Sequence, residues 1–289
     1  MTEQHTLIVS VENNPYMSWQ SKLLHFSCLS RLEQIPVFIV HESGTDLHPG
    51  FQDILNTGGE VFVVPNYKRT RHGDDYGAKN LAGTVFEASS LCAGRNPYLL
   101  LLDPDMLFVR QPILPKTLSA DFCSYINFDR EFAQTAARVF GVAPEEIADK
   151  KQSLRCGGPY VIPMADARAF GSAWIEAVDS FPPRTWEDVM YAFGLAAIKL
   201  GMPVTQTRMV QSNYHAEETL QGDVIHYCYG DEIWTKRDYF TEDQIKQVWE
   251  PRVKAPRNTV RGEILAQIHE AGEFYRTAAR ERSSQHTAR

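Results

Sequence analysis

Residues 98–112 read YLLLLDPDMLFVRQP. Tyr98–Leu102 is a short and almost wholly apolar run, the pattern of a strand buried on both faces. It leads straight into Asp103, Pro104 and Asp105. Two carboxylates thus stand at the carboxyl end of a buried strand. On a strand, residues two apart point the same way, so Asp103 and Asp105 can share one divalent cation. Hard oxygen ligands suit Mn²⁺ or Mg²⁺, which bridge diphosphates. Asp-Pro-Asp is also ordinary turn chemistry, and the string alone carries little. Its place after an apolar strand gives it weight.

Working back from this stretch, strands and helices alternate. Thr6–Val11 is a strand, and Asn14 caps a helix with Pro15 at its first position. Trp19, Leu23, Leu24, Phe26, Leu29 and Leu32 follow helical spacing. Pro36–His41 and Glu60–Pro65 are further strands. Phe51–Leu55 is a short helix ended by Gly58 and Gly59, and Asn80–Leu91 is a helix closed by Gly94. Such alternation predicts an α/β fold whose mostly parallel sheet is covered on both faces. Ligands of such sheets sit beyond the carboxyl ends of the strands. That directs attention to Glu12–Pro15, His41–Ser43, Asn66–Asp75 and Asp103–Asp105.

Working forward, the pattern is less regular. Strands are expected over Asp121–Phe128, Pro159–Pro163, Pro203–Gln211 and Val224–Tyr229. Helices are expected over Ala133–Lys151 (one or two), Ala165–Ser180 and Thr185–Leu200. The last carries an apolar stripe of Trp186, Val189, Met190, Phe193, Ala197 and Leu200. Pro182 and Pro183 break the chain between two of these helices. Thr241 to Gln244 fits a capping box. Thr259 to about Arg280 is a final amphipathic helix, with Ile264, Ile268, Phe274 and Tyr275 on one side. That side can pack on the chain's own domain or on a second copy. Residues after Arg282 are polar and expected to fray.

The chain has 289 residues, 43% hydrophobic and 22% charged, as in a folded globular protein. The net charge is −7, from 29 basic and 36 acidic residues, which argues against a general nucleic-acid binder. No apolar run reaches the roughly 18 residues of a spanning helix. The first ten residues carry Glu3 and no basic region, so they read as the start of a strand rather than a leader. The five cysteines are odd in number and show no C-x-x-C, which suits free thiols in a reducing compartment. A cytoplasmic location is the expectation, and a structural zinc site is not.

Four further stretches bear on chemistry. Glu187 and Asp188 open a helix after Thr185. They read either as a capping pattern or as carboxylates that meet an acceptor proton. His226, in the segment VIHYCYG, is either a core histidine or the third ligand of an Asp/Asp/His site. Lys236 and Arg237 are either solvated loop charges or partners of a diphosphate leaving group. Gly157 and Gly158 precede an expected strand and read as a plain turn or as a loop that approaches a ligand. Lys68 to His72 reads as a surface loop and a minor candidate for phosphate contact.

Taken in order, these features resemble the GT-A glycosyltransferases. Asn14-Pro15-Tyr16 with Trp19-Gln20 is similar to the N-terminal segment N-S-P-Y-x-x-W-Q of plant hydroxyproline O-arabinosyltransferases. Residues 98–112 resemble their Y-I-L-M-x-E-P-D-H-I-F-V-x-P-L, and VIHYCYG their I-I-H-Y-T-Y-G. Residues 186–201 resemble their W-V-x-E-M-Y-A-Y-x-x-A-x-x-x-x-G, and the related peptidyl-serine α-galactosyltransferases share much of this set.

The resemblance implies a GT-A (Rossmann-like) domain over residues 1–240, with a nucleotide-sugar half to about 112, an acceptor half from about 113, and a helical extension at 241–289. It implies metal-dependent transfer from a UDP-sugar to a hydroxyl of a peptide or small molecule, with retention. Asp105 and His226 would then hold the metal, with Asp103 where the family has Glu. Lys236 and Arg237 would meet the diphosphate, and Glu187 or Asp188 the acceptor. Val9, Ser10, Val11 and Gln20 would help hold the uridine. Asn80 stands where the family has Asn-Arg, and Leu81 follows it here. Gly157 and Gly158 would lie against the donor. A sugar nucleotidyltransferase would be expected to carry a glycine-rich loop after the first strand, and Val9–Tyr16 has no glycine. A binding protein that has lost turnover is the non-enzymatic alternative.

Overall fold

His5–Glu12 (β1) is buried along almost its whole length, and its alternate side chains enter two different cores. Ile8 joins Val37, Ile39, Leu99 and Leu101 on one face of a sheet. Leu7, Val9 and Val11 join Phe38, Val40, Leu100 and Leu102 on the other. A strand with helices on both faces has no polar side to show, so its centre, Leu7–Val9, is apolar at consecutive positions.

The computed structural model describes residues 4–182 and 185–287. Glu3 and Pro183, both used in the sequence reading, lie outside them. After β1 the chain runs through Pro15–Leu32 (α1), Val37–His41 (β2), Pro49–Asn56 (α2), Glu60–Val64 (β3), Asn80–Leu91 (α3) and Tyr98–Leu102 (β4). Met106–Phe108 (β5), Ser119–Phe122 (β6), Glu131–Phe140 (α4), Pro144–Ala148 (α5), Cys156–Pro163 (β7) and Ala167–Val178 (α6) follow. The chain continues with Asp188–Lys199 (α7), Thr205–Thr207 (β8), Val210–Ser212 (β9), Val224–His226 (β10), Glu242–Ile245 (α8) and Val260–Thr287 (α9). Asn14 caps α1 as expected, its side chain accepting from Met17 N at 2.8 Å.

The main sheet has seven strands in the order β3-β2-β1-β4-β7-β6-β8. All pairings are parallel except those of β7, which runs antiparallel to both β4 and β6. The architecture is α/β with a mostly parallel sheet. Helices α3, α6 and α7 cover one face, and α1 and α2 the other. A smaller sheet, β5-β10-β9, stands at the end of β4.

Several expectations need correction. The strand expected over Asp121–Phe128 is β6, which begins at Ser119 and stops at Phe122, just after a register shift against β7 between Ala120 and Asp121. The strand expected over Pro203–Gln211 is two short strands in two different sheets. The strand at Val224–Tyr229 ends at His226, and β5 is a strand the sequence reading did not separate from its neighbours. Gly157 and Gly158 lie inside β7, not in a loop before it. Helix α7 is buried nearly all round rather than along one stripe, and Trp186 and Leu200 at its ends are exposed. The last helix continues past Arg282 to Thr287.

The apolar side of α9 is covered by the chain itself. Ile264 and Ile268 are buried in a third core with Trp19 and Leu23 of α1, and Tyr275 is buried as well. Gln267 Nε2 donates to Phe108 O at 2.9 Å. His25 of α1 is fully buried at this junction, its Nδ1 2.8 Å from the Tyr275 hydroxyl. Burial pushes its pKa down from 6.5 to about 4. Folding therefore favours the neutral ring. Between pH 6.5 and 4 the unfolded chain binds a proton that the folded chain refuses, so stability falls as pH falls through this window. The contribution is about 3 kcal/mol. In urea unfolding, the stability difference between wild type and His25→Gln should change by that amount between pH 7 and pH 4. A constant difference would contradict the assignment.

Candidate active site

β1 and β4 lie side by side and parallel, and the chain passes from β1 to β2 on one side while β4 borders it on the other. Such a switch point opens a crevice at the carboxyl ends of the two strands. A cleft of 460 Å³ lies there, and Ser10, Val11 and Glu12 line it from β1, Asp103 and Asp105 from the end of β4.

The strand stops at Leu102, and Asp103, Pro104 and Asp105 form a turn. Met106 N closes it onto Asp103 O at 3.2 Å. Tyr227, just past β10, pins it: its N–H donates to Asp105 O at 3.0 Å and its hydroxyl to Pro104 O at 3.3 Å. Pairing of β10 with β5 sets His226 opposite Met106. His226 Nε2 therefore lies 3.2 Å from Asp105 Oδ1 and 3.9 Å from Asp103 Oδ2. Ligand atoms of Asp103, Asp105 and His226 all fall within 4.8 Å of one another. The turn reading and the cation reading of this stretch are thus compatible.

Lys236 Nζ donates to Asp105 Oδ2. Its side chain is 12% exposed, and that of Asp105 10%. The lysine sits on a single turn, Lys236–Asp238, that is anchored from behind. Trp234 is buried, and Asp231 accepts from the N–H groups of Ile233 and Trp234 at 2.8 Å each. Arg261 of α9 holds Asp231 in turn, at 2.6 Å. Trp19 Nε1 donates to Tyr239 O at 3.1 Å on the other side. The C-terminal helix thereby fixes the loop that carries the cleft lysine.

Burial, aided by the neighbouring Asp105, pushes the Asp103 carboxyl up to about 6. Burial acts the same way on Asp105, but His226 and Lys236 outweigh it and hold that carboxyl well below its ordinary value. Burial disfavours charge on His226 and on Lys236, yet Asp105 outweighs it and raises both. Two carboxylates and one imidazole, close-set and partly shielded, fit Mn²⁺ or Mg²⁺. Asp105 is the most strongly anionic of the three.

The other expected residues are distributed as follows. Gln20 and Asn80 line the same cleft. Asn80 is nearly buried, accepts from Tyr67 N at 2.9 Å and donates to Glu12 Oε1 at 3.4 Å, so it positions Glu12. Gln20 Nε2 donates to Tyr16 O at 2.8 Å. Val9 is fully buried in the core and does not line the cleft. Gly158 is where a side chain would crowd Asp103: a Cβ there would meet Asp103 Oδ2 at 3.3 Å. A Cβ at Gly157 would meet Cys123 Sγ at 3.0 Å and Met190 Cε at 3.1 Å. Both glycines sit where neighbouring side chains approach the strand, and Gly158 also lines a second lobe of the cleft, beside the first. Arg237 is exposed and lines that lobe too.

Glu187 and Asp188 line neither lobe. Asp188 is fully buried and accepts from Thr185 N at 3.0 Å and Thr185 Oγ1 at 2.6 Å, so it serves the helix start. Glu187 pairs with Arg130 at 2.7 Å. Trp186 stands in the cleft instead, together with Met190. The sequence reading placed both in an apolar stripe. The signal it passed over is a tryptophan between Thr185 and two acids, a polar setting for a core residue. Tyr16 and Cys228 also line the cleft and were not singled out as contacts. Among the described residues no helix is long and apolar enough to cross a membrane. No family model matches the chain, and no curated protein matches it in sequence.

Proposed function

We propose that this chain is a metal-dependent glycosyltransferase of GT-A type that moves a sugar from a UDP-sugar to a hydroxyl acceptor, with retention. The observation that carries the reading is the Asp103, Asp105 and His226 cluster, with Lys236 against it, at the switch point between β1 and β4. Its support beyond this cluster is the order of motifs along the sequence.

In this reading Asp105 and His226 hold a Mn²⁺ or Mg²⁺ ion, with Asp103 beside them. The ion supplies charge stabilisation to a diphosphate leaving group. Lys236 supplies a second positive charge at the same place and is already held there by its anchored loop. Ser10, Glu12 and Gln20 lie where the nucleoside would meet the end of β1. Glu12 is held by Asn80 and offers a carboxylate to ribose hydroxyls. The cleft walls keep the donor in a fixed orientation, which turns a bimolecular encounter into a positioned one. We further propose a cytoplasmic location, supported by five free cysteines.

The test is UDP release from UDP-galactose, UDP-glucose and UDP-arabinofuranose in the presence of Mn²⁺. One sugar should give turnover that EDTA abolishes. Turnover that EDTA leaves untouched would remove the metal from the reading, and no release from any UDP-sugar would count against transfer.

A further inference from the structure

The second lobe measures 550 Å³ and joins the donor cleft through Trp186, Met190, His226 and Cys228, which line both. We propose that this lobe is the acceptor subsite and that it takes a small aryl alcohol, a phenol, rather than a sugar or a peptide. The proposal rests on the glycosyltransferase reading above.

The walls of the lobe are rings and sulfur. Tyr125 lies against Trp186 with ring centroids 5.3 Å apart, and the Tyr125 hydroxyl is 3.7 Å from Met190 Sδ. Cys123 and Cys228 line the same space. Tyr229 brings a third ring, and Tyr214 stands edge-on to it at 5.3 Å. Trp186 is 61% exposed, a large apolar surface left open at the mouth of a cleft. Aromatic faces and soft sulfurs are favourable neighbours for another aromatic ring. The volume is that of a small-molecule site.

The lobe also carries polar groups. A sugar needs many free hydrogen-bonding side chains around it. Asp121 is nearly buried, and its Oδ1 already accepts from the Thr207 hydroxyl at 2.9 Å and Met209 N at 2.8 Å. Arg237 and the hydroxyls of Ser124, Ser212, Tyr125 and Tyr229 remain, while the His226 ring is engaged by Asp105 at 3.2 Å. Neither Glu187 nor Asp188 reaches the lobe to act as a base, and Asp121, the carboxylate that lines it, is nearly buried with its Oδ1 already hydrogen-bonded. A phenol ionises near pH 10, more readily than an alkyl alcohol, and so depends less on one.

The step balances as follows. The phenolic oxygen forms a bond to the anomeric carbon. The bond from that carbon to the β-phosphate oxygen breaks, and its electron pair stays on UDP. The phenolic proton passes to that phosphate oxygen. The products are an aryl glycoside and UDP.

The test is calorimetric binding of 4-methylumbelliferone, glucose and a hydroxyproline tripeptide to the full chain, with and without Mn²⁺ and UDP. The phenol should bind at least tenfold tighter than the other two. Trp186→Ala and Tyr125→Ala should each weaken it about tenfold, and mass spectrometry of a turnover mixture should find the aryl glycoside. Tighter binding of glucose or the tripeptide would overturn the proposal, as would unchanged phenol affinity in both variants. Phenol binding without UDP reads the lobe by itself. If it holds while UDP fails to bind, the donor reading falls and the aryl subsite stands.

Discussion

Asp105→Asn is expected to lower metal-dependent turnover on the order of 10³-fold while the far-ultraviolet circular dichroism stays that of the wild type. The change keeps the shape of the side chain and removes its charge. Two interactions meet at Asp105: it accepts from Lys236 and lies 3.2 Å from His226, and together they hold it well below the ordinary carboxylate range. Asp103 is a poorer substitute, because burial pushes its carboxyl up to about 6 and it stands 3.9 Å from His226 Nε2 where Asp105 stands 3.2 Å. The backbone of the turn does not depend on the side chain, since Tyr227 pins the carbonyls of Pro104 and Asp105. His226→Gln gives a second view of the same site and should cost at least about tenfold if the ring is a ligand. Wild-type turnover in Asp105→Asn would remove the cluster from catalysis.

Lys236→Met is expected to separate two effects that usually travel together. Turnover should fall about 10²-fold to 10³-fold, because a charge opposite the leaving group is lost. Mn²⁺ should bind more tightly, by up to about tenfold, because the ammonium no longer competes for Asp105. Methionine keeps the length of the stem and removes the ammonium, which stands 5.9 Å from the ring centroids of Tyr16 and Tyr227. Isothermal titration with Mn²⁺ and a turnover assay on the same preparation read the two effects. Weaker Mn²⁺ binding together with unchanged turnover would reverse the assigned role.

β1, β2 and β4 were legible because both faces of each are covered, and the sequence shows this as mainly apolar runs. β3, a partly exposed edge strand, was legible from its apolar Val-Phe-Val-Val. The caps were legible too, since Asn14 and Thr241 act within four residues of themselves. The later strands were not. β8 is Thr-Gln-Thr and β9 is Val-Gln-Ser, and their pairing comes from β6 and β10 rather than from any local pattern. Of the candidate site, the three residues of the cation cluster were readable from type and order. The carboxylates of Glu187 and Asp188 were not, because a local string does not tell whether an acid faces a cleft or a backbone N–H. Gly157 and Gly158 were misplaced for a similar reason. Close approach explains them, but what approaches is Asp103, Cys123 and Met190, which only the folded sheet brings there. The aromatic lobe was hidden because its rings come from three distant segments.

The most direct measurement is the thermal shift of the wild type with UDP, in Mn²⁺ and in EDTA, beside Asp105→Asn under the same conditions. A ligand that binds only the folded chain raises its melting temperature by mass action. The account predicts a UDP-dependent rise in Mn²⁺ that is lost both in EDTA and in Asp105→Asn. A rise of equal size in all of these conditions, or none with any uridine nucleotide, would contradict it.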